Sequence, residues 1–168
     1  MYGRRVPKCH PRVEACGAVD ELNAALGLAR AAAKHDFVRK NLLPVQKDLV
    51  ILMGELAVAP EDLPRYEKDG YKLVAAGMTR KLEKPIRRIE AAGASAKGWA
   101  TPGANAPSAA LDLARCICRR AERRVCALQE AGGLPNAQII TYLNRLADLL
   151  WLLARWVETN QSSGSDKG

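Results

Sequence analysis

Leu111-Asp-Leu-Ala-Arg-Cys-Ile-Cys-Arg-Arg-Ala-Glu-Arg-Arg-Val-Cys-Ala-Leu128 carries an apolar seam and five arginines on one segment. Leu111, Ala114, Cys118, Ala121, Val125 and Leu128 recur at alternating steps of three and four, the spacing of a helix face turned to a core. The remaining positions are then fixed in direction. Arg115, Arg119 and Arg123 step by four along one flank, and Arg120 and Arg124 lie about 100° further round. One reading is a solvated basic face with Asp112 and Glu122 as local partners. The other follows from residue choice. Arg rather than Lys stands at all five positions, and guanidinium is preferred where phosphate or carboxylate is bound through two parallel hydrogen bonds. A polyphosphate is the natural ligand for such a helix.

The same seam recurs outward from this segment. It predicts a helix over 13–33 (Ala15, Val19, Leu22, Leu26, Ala29, Ala33) and a second over 37–57 (Val38, Leu42, Val45, Leu49, Leu52, Leu56). Pro44 implies a kink there or a start nearer Leu43. Residues 59–70 are turn-rich and read as loop, and a third helix is predicted over 71–92 with Leu82, Ile86 and Ile89 in its seam. Gly93 to Pro107 reads as a linker containing Trp99, after which the arginine helix begins near Ser108. Gly132-Gly133-Leu134-Pro135 ends it. A last helix is predicted over 136–159 on Ile139, Leu143, Leu146, Leu150, Leu153 and Val157. These readings make an all-α protein, a five-helix up-and-down bundle forming one domain over 1–160, with a disordered tail over 161–168.

Composition agrees. The chain has 168 residues, 48% hydrophobic and 26% charged, with 5% aromatics and few β-branched runs, which favours helix over sheet in a globular protein. No apolar stretch is long enough for a membrane span and the start lacks a secretory signal, so an intracellular, cytoplasmic protein is expected. Five cysteines without CxxC spacing and two histidines, His10 and His35, without partners at ligand spacing predict neither disulfide nor metal site. The net charge of +8 admits nucleic acid as a ligand, but no zinc-finger spacing or RNA-binding aromatic motif accompanies it. A small phosphorylated ligand fits at least as well, and no nucleic-acid partner is expected.

Polar residues also interrupt two seams. Asp20 and Glu21 stand beside Val19 and Leu22, and Asn144, Arg145 and Asp148 stand beside Leu143 and Leu146. Polar groups near a packed interface are costly unless paired. Asp20 and Arg115 are candidate partners, and Asn144 is placed to offer its amide to a ligand. Structural ion pairs, at helix edges or across an oligomer contact, are the alternative.

Three segments taken together resemble the PduO-type ATP:cob(I)alamin adenosyltransferases: Arg12-Val-Glu-Ala-Cys-Gly-Ala-Val-Asp-Glu-Leu-Asn23, Ala114-Arg-Cys-Ile-Cys-Arg-Arg-Ala-Glu-Arg-Arg124 and Tyr142-Leu-Asn-Arg-Leu-Ala-Asp148. The resemblance spans about residues 4 to 157 and implies a trimer of five-helix bundles, with ATP, a divalent cation (Mg2+) and cobalamin bound between subunits. It implies transfer of the 5′-deoxyadenosyl group of ATP to cob(I)alamin, giving adenosylcobalamin and triphosphate. Arg119, Arg120, Glu122 and Arg123 match the family's ATP-binding run, Asn144 its ATP-contacting asparagine, and Lys8 a lysine that also reaches ATP. Asp20 and Arg115 match a salt-bridged pair joining subunits, so Arg119, Asp20 and Arg115 are the expected catalytic set. Trp99 falls where the family places a phenylalanine against the corrin. A flavin reductase and an adenosylcobalamin-dependent enzyme are the partners implied. The family's glycine- and threonine-rich ATP loop belongs before Met1 and is missing from the chain as given. That gap keeps open a non-catalytic nucleotide- or corrinoid-binding carrier or regulator of the same fold.

Overall fold

Each predicted seam becomes a helix, though not always with the predicted ends. A computed structural model describes residues 1–93 and 100–160. The elements are α1 (Pro11–Ala32), α2 (Asp36–Leu56), a 3-10 turn at Pro60–Asp62, α3 (Leu63–Lys68), α4 (Ala76–Ala91), α5 (Ala106–Glu130) and α6 (Gln138–Asn160). The all-α reading therefore holds, and the described residues form six helices, the short α3 among them, where the sequence predicted five. Trp99 and the tail 161–168 lie outside the described residues.

Local chemistry sets the ends. His10 accepts the Arg12 N–H on Nδ1 just ahead of Pro11, which opens α1. Asn105, not Ser108, caps α5: its Oδ1 accepts the Ser108 N–H at 2.8 Å while the Ser108 hydroxyl donates back to the Asn105 carbonyl. The α2 helix runs unbroken through Pro44. Pro44 and Lys40, whose carbonyl loses its helical partner, are both exposed, so water can replace that bond while buried Leu42 and Val45 hold the helix to the core.

Two predicted boundaries change, each for its own reason. Residues 59–70 are not loop, because Pro60 and Pro64 preset helical φ values in successive first turns. The resulting α3 seats buried Tyr66 over Gly54, where a β-carbon would meet the phenol oxygen, and stacks it on Tyr71. The fourth helix starts at Ala76 rather than at 71, because the preceding segment stays extended to be held by its backbone. Glu55 accepts the Val74 N–H at 2.6 Å and Asn136 donates to the Val74 carbonyl at 2.9 Å.

Helix directions alternate along the chain. Arg12 at the start of α1 meets the end of α2 and, at Gly133, the turn after α5, and Asp112 early in α5 meets Arg155 late in α6, so α1/α2, α1/α5 and α5/α6 run antiparallel. Val74 meets Asn136 and Glu83 meets Arg145, which makes α4 and α6 parallel neighbours. Around the bundle the order is α2, α1, α5, α6, α4, with α6 standing between α4 and α5. That separation accounts for the length of the connection between α4 and α5. The core is a single cluster that draws on all five long helices, with Tyr142, Leu22, Leu49, Ile86 and Leu111 among its fully buried members.

Candidate active site

The seam of α5 faces the core so completely that its arginines have only the flanks to occupy. Cys118 is fully buried and its Sγ lies 3.3 Å from the Leu143 carbonyl, which fixes α5 against α6 at that level. Burial pushes its thiol well above the usual range, so it is a packing group rather than a nucleophile. Arg119, Glu122 and Asp148 are the charges around it.

Between α6 and α5, Asn144 donates from Nδ2 to Glu122 Oε1 at 2.9 Å. The carboxylate most able to neutralise the arginine face is thus engaged by an amide. Arg119 and Arg123 are exposed beside it, and neither forms an ion pair among the described residues. Arg120, on the other flank, pairs with Glu21 of α1. Arg145 is consumed by the fold: it grips Glu83 at 2.7 and 2.9 Å and Asp148 at 2.9 Å, holding the Glu83 carboxyl below its usual range. Arg124 is exposed and also without an ion pair among the described residues.

Of the residues singled out from sequence, the fold brings together Arg119, Glu122, Arg123 and Asn144, with Arg120 on the adjoining flank. It does not bring Asp20 to Arg115 within one chain. The register that sets Glu21 against Arg120 leaves Arg115 five residues further along α5, roughly 7 Å along the axis. Arg115 instead contacts Asp112 on its own helix at 3.4 Å. Asp20 is exposed and lines a cavity of about 880 Å³ at the lower end of the bundle, with Arg12, Cys16 and Glu61. Lys8 is exposed on the N-terminal segment, which is tied to that same end by Arg4–Glu61 and Tyr2–Asp69 contacts.

Two arginines matter more to the site's framework than the sequence indicated. Arg12 donates to the carbonyls of Leu56, Val58 and Gly133, satisfying the end of α2 and the α5–α6 turn at once. Arg155 is buried in an ion pair with Asp112. Its signal was present: it is the one charge between Leu149 and Val157, inside an otherwise apolar run. Among the described residues, no group of three His, Cys, Asp or Glu side chains is gathered as a metal would require.

The arrangement is therefore an exposed cationic face on α5 beside α6, where Arg119 and Arg123, without ion pairs among the described residues, stand next to an amide–carboxylate pair. The cobalamin adenosyltransferase family profile matches residues 1–157. A cobalamin adenosyltransferase of Cupriavidus metallidurans is 38% identical over 98% of this chain and 83% of its own length. The corrinoid adenosyltransferase PduO of Citrobacter freundii is 37% identical over 91% of this chain, which spans only 44% of that protein. A variant PduO-type ATP:corrinoid adenosyltransferase from Lactobacillus reuteri, complexed with cobalamin and ATP, superposes with a TM-score of 0.83 at 28% identity, over 96% of this chain and 88% of that one. With the fold, the arginine face and the match along nearly its whole length in agreement, the chain belongs to the cobalamin adenosyltransferase family.

Proposed function

We propose that the chain transfers the 5′-deoxyadenosyl group of ATP to cob(I)alamin, and that the arginine face of α5, beside α6, is where the triphosphate lies. The observation that carries this reading is the pair of exposed guanidiniums, Arg119 and Arg123, without carboxylate partners among the described residues and beside a Glu122 already held by Asn144. In the transfer the cobalt lone pair of the substrate attacks C5′, the cobalt–carbon bond forms as the C5′–O5′ bond breaks, and triphosphate leaves with the bonding electrons. The nucleophile is thus supplied by a substrate. What the protein must do is align the reacting atoms and stabilise charge gathering on the leaving triphosphate, which fixed guanidiniums do well.

Arg119 is assigned to the phosphates during transfer. Arg120, Arg123, Glu122, Asn144 and Lys8 are assigned to ATP, and Trp99 to the corrin. A divalent cation such as Mg2+ fits as a passenger on the triphosphate, since it favours phosphate oxygens and water over an all-protein cage. We place the reaction in a homotrimer, where Asp20 of one subunit meets Arg115 of the next. Supporting this are the surface position of Asp20, its separation from Arg115 within one chain, and exposed apolar residues on three helices, Leu28, Val50 and Leu113. Five free thiols suit the reducing cytoplasm, where a flavin reductase would supply cob(I)alamin and an adenosylcobalamin-dependent enzyme would take the product.

Incubating the protein with ATP, Mg2+ and chemically reduced cobalamin should yield adenosylcobalamin and inorganic triphosphate in equal amounts. Saturable binding of ATP and cobalamin with no triphosphate release would mean a carrier instead.

A further inference from the structure

Away from the arginine face, four charges form a chain between α5 and α6 whose two middle members, Arg155 and Asp112, are buried. Arg155, 2% exposed, donates from Nη2 to Asp112 Oδ2 at 2.5 Å and to Glu158 Oε1 at 2.8 Å. Asp112, 3% exposed, turns its other oxygen, Oδ1, to Nε of Arg115 at 3.4 Å. Two guanidiniums thus stand against two carboxylates.

As a clamp between helices this is a poor device. Burying charges is expensive enough that apolar side chains of similar volume often hold a core as well or better. The neighbours Leu152, Leu153, Ala154 and Val157 do that along the rest of this helix. Arg155 Nε, moreover, is buried with no hydrogen-bond partner among the described residues.

What the chain does achieve is orientation. Arg155 holds Asp112 from behind, so Oδ1 cannot rotate away from α5's outer flank. Arg115, three residues on, engages it through Nε at 3.4 Å, and among the described residues its Nη2 meets only the Cys116 sulfur, at 3.6 Å. The side chain is about one quarter exposed (26%). The guanidinium therefore leaves α5 in a set direction with terminal donors to spare for a carboxylate outside its own chain.

We propose that Asp112 and Arg155 are positioning residues for Arg115, aiming its fork at the position that the next subunit's carboxylate occupies. This rests on the intersubunit role assigned to Arg115 above. The pair acts through Arg115 and touches neither ATP nor corrinoid.

The test is the paired substitution Asp112→Leu with Arg155→Met, which removes both charges while keeping the α5–α6 contact filled. The melting temperature should stay within a few degrees of wild type while kcat for adenosyl transfer falls about tenfold with the ATP KM little changed, because alignment across the subunit contact is lost while no ATP-binding group is removed. Adding Arg115→Ala to the pair should lower activity no further than Arg115→Ala alone, because residues acting in series do not add. Full activity in the pair, or losses that multiply, would overturn the proposal. Should the pair fold poorly, Arg155→Lys keeps the charge without the fork: kcat should fall in the fully folded fraction, and a loss that merely follows unfolding counts against positioning. A second readout needs no activity. The Arg115 Nε–H resonance, assigned by its disappearance in Arg115→Lys, should exchange slowly with solvent in wild type and rapidly in the pair. If wild-type protein makes no adenosylcobalamin, the functional reading fails while this resonance still decides the positioning role, and an unchanged Nε–H would sink it.

Discussion

Arg12 and Arg119 are the same side chain in opposite circumstances. Arg12, at the lower end of the bundle, spends its donors on the carbonyls of Leu56, Val58 and Gly133, and burial lowers its pKa without threatening its charge. Arg119, on the α5 flank, has no such acceptors and no ion pair among the described residues. Residue type alone therefore does not mark a ligand site. What marks it is a guanidinium that the fold has left unspent, beside a carboxylate that the fold has already satisfied.

The sharpest way to break that contrast is to truncate both. Arg119→Ala should leave the melting temperature unchanged and cut adenosyl transfer by about 100-fold or more, the usual cost of losing one preorganised donor to a leaving oxyanion. Activity close to wild type in this variant would return the α5 flank to the status of a solvated basic face. Arg12→Ala should behave in reverse. It orphans three carbonyls and should lower unfolding stability by about 2–3 kcal/mol, on the scale of hydrogen bonds to charged groups. Urea unfolding would show this, and the folded fraction should retain most of its turnover.

Asn144→Ala probes the boundary between the two kinds of residue. It frees Glu122 to reach back toward Arg119 or Arg123, so the site would lose an amide and gain a competitor for its cations. We expect activity to fall by about tenfold through a higher ATP KM, on the scale of one hydrogen bond to a charged group. Steady-state kinetics with ATP varied would separate this from a pure kcat effect, which would argue that Asn144 only braces Glu122.

The fold was largely legible because helices announce themselves by period, and the seam positions of α1, α2, α5 and α6 became the core. The arginine face was legible for the same reason, since once the seam is assigned the flanks follow. Three things were not. The short α3 depends on Tyr66 finding Gly54, a contact between residues twelve apart that no periodicity encodes. The late start of α4 depends on Glu55 of α2 and Asn136 of the α5–α6 connection capturing Val74. The partner of Arg115 depends on register between helices: Asp20 and Arg115 both flank seams, but antiparallel packing sets Glu21 against Arg120 and moves the two apart within one chain. Periodicity assigns a residue to a face and says nothing about its height on the neighbouring helix.

Glu55 is the counterpart of Glu122, a carboxylate turned wholly inward. It is almost fully buried and accepts from the Val74 N–H and from Asn136 Nδ2 at 2.8 Å; burial pushes its pKa up, and those two bonds pull it down by less. A carboxyl whose folded pKa exceeds its unfolded one holds more protons in the folded chain. Its stabilising contribution is then fully present below the unfolded value and is lost as pH rises through the folded one. Glu55→Gln removes that titration, although its amide then faces the Val74 donor and one bond is forfeited. The difference in stability between wild type and variant should therefore be larger in acid and shrink as pH climbs through the raised value, then level off. Urea midpoints of both proteins across the acidic to neutral range would measure it, and the other titrating groups, Asp48 among them, cancel in the difference. A difference that instead grows with pH would mean that the two hydrogen bonds outweigh burial, and that Glu55 holds Val74 as a stabilised anion rather than as a reluctant one.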